Sequence, residues 1–585
     1  MTRILLSNAC SPYSLSWGED TLDVYASRLQ RGQGPFMLKG HAHCTALYLI
    51  AENLNAEVTV LEHPHMDEFE AELKKGYDYV GIQLISIMTK KVADMIRSVK
   101  RISPKTKVAV GGYGVINLYD PFPGDHAGDA QEIFRNADYV CQEEGVRFFR
   151  RLIGDEPVER PITQKYLPLG GMSLRGLEHV VNAPMANILV ALGCPNGCEF
   201  CNTSAFFKKK KIYVATPQEC FEIMKHNCYR NNGNTTICSI YDEDFLIDAN
   251  YVRTLGKLIQ EDKEYGLRKM GYFAFSSLRS MTQYSFEELL ECGLAVVWIG
   301  VESSLDEVIT SEHAIAKRGC DDIKTTFDAL HQYGIVTTGS FVLGWDFHTP
   351  QNVVKDIDYF VNLAPATYQI AFLTACPGTD LYNRMKGTGR ISPNYNYTDV
   401  QVWNDGTFKS KNFQPGELKP LYDLTHRKLF EQNGPSIMRN VDIHLNGYET
   451  CANSRRKLLR EQKAPMFKDS CEKMFPVLEA CKKHSPTEMV RAKAEMVIEK
   501  YRRLIGEPTE EQKMFSQVFC DVVGVEAERM KEEAERQFTD PPLRTAYYNQ
   551  GHAPEPLVKR GRGPEPATPY EVVRKTEDMG GAFTV

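Results

Sequence analysis

Apolar and polar positions along this chain change rhythm several times, and the changes divide it into parts. Through residues 1–155, short apolar runs alternate with stretches of helical period. Ile4–Leu6, Glu57–Leu61, Tyr79–Ile85, Lys107–Val110 and Asp138–Val140 predict strands, with helices over His43–Asn53, Phe69–Lys75, Lys91–Ile102 and Val146–Ile153. That alternation predicts an α/β, doubly wound, Rossmann-like domain: a parallel sheet covered on both faces, taking ligands beyond the carboxyl ends of its strands. Residues 156–186 hold Pro157, Pro161, Pro168, Gly170 and Gly171 and predict a linker.

Strand patterns return over residues 187–400, at Ile188–Leu192, Thr236–Ile240, Ala295–Gly300, Ile335–Leu343 and Tyr368–Leu373. Residues 401–539 then read as an α-helical C-terminal region. Ser485-Pro486-Thr487-Glu488 predicts a capping box with proline at the first helical position. Val490, Ala494, Val497, Ile498, Tyr501, Leu504 and Ile505 make one apolar stripe, which predicts a core-facing helix and leaves a peripheral membrane contact as the minority reading. Prolines break up residues 540–585, an extended or disordered tail.

One loop carries distinctive chemistry. After Ile188–Leu192 comes Gly193-Cys194-Pro195-Asn196-Gly197-Cys198-Glu199-Phe200-Cys201, three cysteines spaced C-x3-C-x2-C. Soft thiolates select zinc or an iron–sulfur cluster. A closed zinc site takes four ligands, and no further Cys or His follows at a matching distance. A cubane with three protein ligands and one free iron fits that count. The chain's 16 cysteines are otherwise irregularly spaced, which predicts a reducing, cytoplasmic setting. A net charge of −7 over 585 residues argues against general nucleic-acid binding. No apolar run reaches the roughly 18 residues of a membrane span.

The cysteine loop resembles the signature of the radical S-adenosylmethionine (SAM) enzymes, C-x3-C-x2-C with an aromatic, here Phe200, before the last Cys. The resemblance implies a partial (β/α)6 TIM-type barrel over residues 187–400. It also implies a 4Fe–4S cluster on Cys194, Cys198 and Cys201, with SAM on the open iron. Matching elements imply SAM contacts at Phe200, at the strand-end carboxylates Asp242, Glu243 and Asp244, at Glu302 and Ser303, at Asp346, and at Pro377 in the run Pro377-Gly378-Thr379-Asp380-Leu381-Tyr382.

The first 155 residues are similar to the cobalamin-binding domain of cobalamin-dependent radical SAM enzymes. Ser86 and Ile87 follow the third strand, Gly111, Gly112 and Tyr113 follow the fourth, and Glu143 lies in a partial match to a Gly-Glu-Gly-Glu turn. These six residues are the implied cobalamin contacts. The Asp-x-His-x-x-Gly motif that supplies a histidine to cobalt elsewhere is absent, and the corresponding loop reads Asn8-Ala9-Cys10-Ser11-Pro12-Tyr13. The lower ligand of any cobalt therefore stays open.

The resemblance implies cobalamin-dependent methyl transfer to an unactivated carbon of a small-molecule or lipid substrate. Two alternatives stay open: a non-methylating radical enzyme (cyclisation, oxidation or carbon–carbon coupling on a lipid or tetrapyrrole), and a non-enzymatic iron–sulfur or cobalamin sensor. Lys208–Lys211, just past the cysteine loop, predict either a solvated face or a dock for an acidic flavodoxin or ferredoxin that supplies an electron. Cys451, Cys471, Cys481 and Cys520 are too scattered for a second cluster and predict ordinary thiols.

Overall fold

The computed structural model describes residues 1–10, 32–41, 43–120, 127–174, 182–230, 236–310, 314, 322–397, 400, 405–532, 544–549 and 558–559. Its first sheet holds β1 (Arg3–Ser7), β3 (Glu57–Glu62), β4 (Tyr79–Gln83), β5 (Lys107–Gly111) and β6 (Tyr139–Cys141), all parallel, in the order β3-β1-β4-β5-β6. The order reverses at β1, so the crevice of this doubly wound sheet opens between β1 and β4. Side chains alternate between the faces. Ile4 and Leu6 pack with Val58, Val60, Val146 and Phe149, while Leu5 packs on the other side with Val80, Val108 and Val110.

The second sheet is built on β8 (Asn182–Leu189), β11 (Thr236–Tyr241), β12 (Met270–Ser276), β13 (Leu294–Glu302), β14 (Val336–Leu343) and β15 (Thr367–Phe372). These six strands are parallel and neighbours in chain order, a partial (β/α)6 barrel. Two short strands, β9 (Ala191–Leu192) and β10 (Ile212–Tyr213), pair beside the cysteine loop.

Part of the stretch expected to be a linker belongs to this sheet. Within it, β7 (Gly170–Leu174) pairs antiparallel with β8, and β2 (Leu38–His41) pairs antiparallel with β7. The glycines made these residues read as a connection, but ladders to β8 on one side and β2 on the other hold the backbone extended. The expected tail also departs from its reading. Its residues β16 (Arg544–Tyr548) add antiparallel to β3, followed by β17 (Val558–Lys559). Ala546 and Tyr548 are buried in the first sheet's core. Most other tail residues lie outside the described residues.

Helices spanning Leu418–Asn433, Ser436–Ala452, Ala464–Met474, Pro476–Lys483, Glu488–Leu504 and Glu510–Glu532 make up the C-terminal region. The cap of the fifth is Thr487, whose hydroxyl accepts from the Val490 N–H (3.3 Å). Ser485 instead donates back to the Cys481 carbonyl (2.5 Å). Val490, Ala494, Val497, Ile498 and Tyr501 are buried, as are Cys451, Cys471, Cys481 and Cys520, none of them in a disulfide. No helix among the described residues is long and apolar enough to cross a membrane.

What positions the site is a core shared by the two sheets. Leu5, Val80, Val108, Val115 and Leu118 belong to the same apolar cluster as Val342, Trp345, Leu373, Leu381 and Tyr382. Gly378 (φ +81°) lies so close to Ile116 that a Cβ there would stand 2.1 Å from Ile116 Cδ1. The carboxyl edge of the first sheet thus closes on the carboxyl mouth of the barrel.

Candidate functional site

The cysteine loop leaves the barrel where β8 ends. Cys194 is buried, and Cys198 and Cys201 are half-buried. The Cys201 N–H donates to the Cys198 carbonyl (3.0 Å), and Ser204, in the short helix that follows, donates its hydroxyl to the Cys194 carbonyl (2.9 Å). Burial pushes the Cys194 thiol up to about 12, with further upward pushes from Asp244 and the other two cysteines. Among the described residues, no three His, Cys, Asp or Glu side chains converge as a single metal ion requires. A cubane takes each thiolate on a different iron, so its ligands stand apart. Three soft thiolates on one eight-residue loop are a donor set that an iron–sulfur cluster takes.

The acidic turn after β11 faces this loop, and its three carboxylates play different parts. Asp244 is buried and accepts from Ser276, Ser277 and Ser280 hydroxyls (2.9 Å each) and from Asn196 Nδ2 (2.8 Å). Asn196 belongs to the cysteine loop, so Asp244 ties that loop to the end of β12 and has its lone pairs filled. Asp242 is ion-paired with Lys211 (2.8 Å) in a nearly buried contact. Lys211 therefore belongs to the site's interior, and only Lys208, Lys209 and Lys210 of the expected lysine face are exposed.

Glu243 differs from both. Its Oε1 accepts from the Tyr113 hydroxyl (3.3 Å), and its Oε2 is buried with no partner. Burial, reinforced by the neighbouring charge of Asp242, raises its carboxyl to about 7. Tyr113 comes from the Gly111-Gly112-Tyr113 turn of the first sheet and packs edge-on against Phe206 and Phe207 (5.3 and 6.1 Å between ring centres). One aromatic side chain thus links the first sheet, the cysteine loop's helix and the acidic turn.

At the end of β13, Glu302 adopts φ +62° where the register with β14 shifts. A non-glycine residue in that conformation is strained, and the surrounding structure must hold it. Ser303 does so from within. It is fully buried, and its hydroxyl donates to Asp356 (2.6 Å), so it points into the protein interior. Asp356 also accepts from the Ser304 N–H (2.6 Å) and from His348 Nε2 (2.9 Å). Because the Gly344 N–H donates to His348 Nδ1 (3.2 Å), the His348 proton sits on Nε2. Burial alone would raise the Asp356 carboxyl, but the bonds from His348, Ser303 and Ser304 hold it below its ordinary value.

The other residues implied for SAM scatter around the rim. Phe200 packs edge-on to Trp345 (5.5 Å), and Pro377 is buried beside Gly378. Asp346 is engaged by Arg384 (3.2 Å), Arg390 (2.6 Å) and Lys411 (3.4 Å); these cations outweigh its burial and hold its carboxyl at about 2. Sequence reasoning missed Asn196, Asp356 and Arg384, which have partners remote in the chain, and His348, which bonds locally to Gly344 and Asp356.

On the first sheet, Ser86 (buried) and Ile87 open a turn after β4 that packs against the Gly112 turn. Gly112 (φ +100°) is required by this packing itself, since a Cβ would meet the Leu84 carbonyl at 2.8 Å; a Cβ on Gly111 would meet Cys141 Cβ at 3.3 Å. Glu143 points outward and pairs with Arg151, while the buried Glu144 caps the following helix through the Val146 and Arg147 N–H groups. Beside them Ile85 and Tyr113 leave apolar surface uncovered at the edge facing the barrel, which suits a broad, flat ligand. Ser11, Pro12 and Tyr13 of the first loop lie outside the described residues.

Residues 188–360 match the radical SAM superfamily. The chain is similar to an uncharacterized methyltransferase of Synechocystis sp. (22% identity, 60% of this chain and 63% of that protein). It is also similar to the bacteriochlorophyllide d C-12(1)-methyltransferase of Chlorobaculum tepidum (23%; 56% and 70%) and the hopanoid C-2 methylase of Rhodopseudomonas palustris (20%; 41% and 46%). The chain thus spans just under two thirds of the Synechocystis protein. In fold it resembles TsrM, a radical SAM methyltransferase from Kitasatospora setae solved with cobalamin and a 4Fe-4S cluster bound (TM-score 0.50, 13% identity, 81% of this chain and 100% of that one).

Proposed function

Because residues 188–360 are a radical SAM domain, we propose that the chain is a cobalamin-dependent radical SAM methyltransferase acting on an unactivated carbon. The observation that carries this reading is the meeting of three parts: the cysteine loop, the half-satisfied Glu243, and Tyr113 delivered by the first sheet. When bound, a 4Fe–4S cluster supplies the electron that cleaves SAM to a 5′-deoxyadenosyl radical, and cobalamin carries the methyl group.

Cys194, Cys198 and Cys201 hold the cluster in this reading. Glu243 receives the SAM ammonium group, since its buried Oε2 has neither a hydrogen bond nor an ion pair, whereas Asp242 Oδ2, also without a hydrogen bond, faces Lys211 at 2.8 Å. Burial is the main cause of its raised pKa, which an arriving ammonium group would lower. Asp242 and Asp244, already neutralised or hydrogen-bonded, hold the turn in place. Glu302 orients SAM from the opposite strand end, fixed by the Ser303–Asp356–His348 network. Phe200, Trp345, Phe206 and Phe207 line the loop with apolar rings, which would exclude water there and leave few groups to quench a radical. Ser86, Ile87, Gly111, Gly112 and Tyr113 form the floor for the corrin. The exposed Lys208, Lys209 and Lys210 give an acidic flavodoxin or ferredoxin complementary charge next to the cluster loop.

Anaerobic reconstitution with iron and sulfide, followed by SAM and dithionite, tests the proposal. 5′-Deoxyadenosine together with S-adenosylhomocysteine supports methyl transfer. 5′-Deoxyadenosine alone points to the non-methylating radical enzyme. Neither product, from protein holding a full cluster, leaves the sensor.

A further inference from the structure

The back of the cysteine loop is gripped by a chain of charges to which the proposed function assigns no part. Glu199 stands between Cys198 and Cys201. Its carboxylate is bound by both arms of the Arg384 guanidinium, Nη2 to Oε1 at 2.7 Å and Nε to Oε2 at 3.3 Å. Its carbonyl accepts from the Leu381 N–H (2.9 Å). The helix Asp380–Gly387 therefore holds the loop by backbone and side chain together. Arg384 is anchored on its far side to Asp346, which Arg390 grips with two nitrogens (2.6 and 2.8 Å). The side chains of Glu199 and Asp346 are only 11% and 8% exposed, so water screens these charges weakly.

We infer that Arg384 is a positioning residue that sets the electron affinity of whatever the three thiols hold, by offsetting the Glu199 carboxylate fixed within their loop. The inference rests on reading that loop as a cluster site. The physical reason is one of sign. Reduction adds a negative charge beside a carboxylate sitting one residue from one ligand thiol and two from another. Glu199 opposes that charge, and the bidentate guanidinium cancels most of the opposition. Asp346, itself gripped by Arg390, holds the far side of the guanidinium and so fixes its orientation toward Glu199.

The test is the midpoint potential of the reconstituted cluster, followed by electron paramagnetic resonance during anaerobic titration, with iron per chain and the melting temperature of the iron-free protein measured alongside. Arg384→Gln is expected to shift the potential negative and Glu199→Gln positive. The double variant should return close to the wild-type value, and Arg384→Lys should restore most of what Arg384→Gln loses. A purely structural clamp predicts something else: both single variants lose iron, and whatever cluster remains keeps its potential. Shifts of the same sign, or none at full iron content, would overturn the inference while leaving the proposed function standing. A wild-type protein that takes up no iron would overturn the reading of the loop, and this inference with it. Should Arg384→Gln fail to fold, the near-isosteric Glu199→Gln still carries the test of sign.

Discussion

Two carboxylates at strand ends, Glu62 closing β3 and Glu243 just after β11, are treated in opposite ways. Glu62 is fully buried and is bonded by His43 (3.0 Å), the Tyr48 hydroxyl (2.5 Å) and the Cys44 N–H, with Arg544 at 3.8 Å. Burial would raise its carboxyl, but His43 and His63 more than compensate and hold it well below its ordinary value. Glu243 has one bond of 3.3 Å and an oxygen with none, and its carboxyl is pushed up to about 7. A buried carboxylate with all its lone pairs filled is part of the frame, here joining the tail strand to the first sheet. One left half-filled at the mouth of a barrel is an acceptor waiting for a donor.

The comparison breaks if the two residues respond alike to the same change. Glu62→Gln is expected to have the largest effect, a loss of about 3–5 kcal/mol of folding stability read by urea denaturation, because it leaves Arg544 and two histidines without their shared anion. It should leave SAM affinity per folded molecule unchanged. Glu243→Gln is expected to do the reverse. SAM binding by equilibrium dialysis to the reconstituted protein should weaken about tenfold or more, matching the roughly 1.5–3 kcal/mol of a hydrogen bond to a charged group. Its melting temperature should stay level or rise, since a poorly solvated charge is removed.

Arg544→Ala should cost about 1–2 kcal/mol and raise amide exchange along β16 and β3, measured by hydrogen–deuterium exchange mass spectrometry. The smallest effect belongs to Tyr113→Phe, which deletes one long hydrogen bond and keeps the aromatic packing. About 0.5–1 kcal/mol of stability is expected, with a modest loss of SAM affinity because Glu243 is left freer to turn. A Tyr113→Phe variant less stable than Glu62→Gln would reverse the comparison.

The parts of this account that were legible in the sequence are those written locally. The cysteine spacing lies within eight consecutive residues, and β1, β3, β4, β5 and β13 are short apolar runs that local periodicity finds. Met270–Ser276 is a strand absent from the sequence reading, although Tyr272-Phe273-Ala274-Phe275 is an apolar run of the same kind. Asp244 and Glu243 are neighbours of the same acidic character, and nothing local separates them. The difference comes from Ser276, Ser277 and Ser280 and from Asn196, each more than 30 residues away in sequence. The inward turn of Ser303 depends likewise on Asp356, and the grip on Glu199 on Arg384, 185 residues on. Long-range pairings of polar side chains leave no periodic trace, so these residues read from the sequence as ordinary charges.

The central claim is that the three thiols hold a cluster whose free corner faces Glu243. The most direct measurement is the electron paramagnetic resonance spectrum of the reduced, reconstituted protein with and without SAM. The account predicts that SAM changes the cluster signal in the wild type and that Glu243→Gln needs about tenfold more SAM to produce the same change. A fully loaded cluster whose signal SAM leaves untouched at any concentration would contradict it.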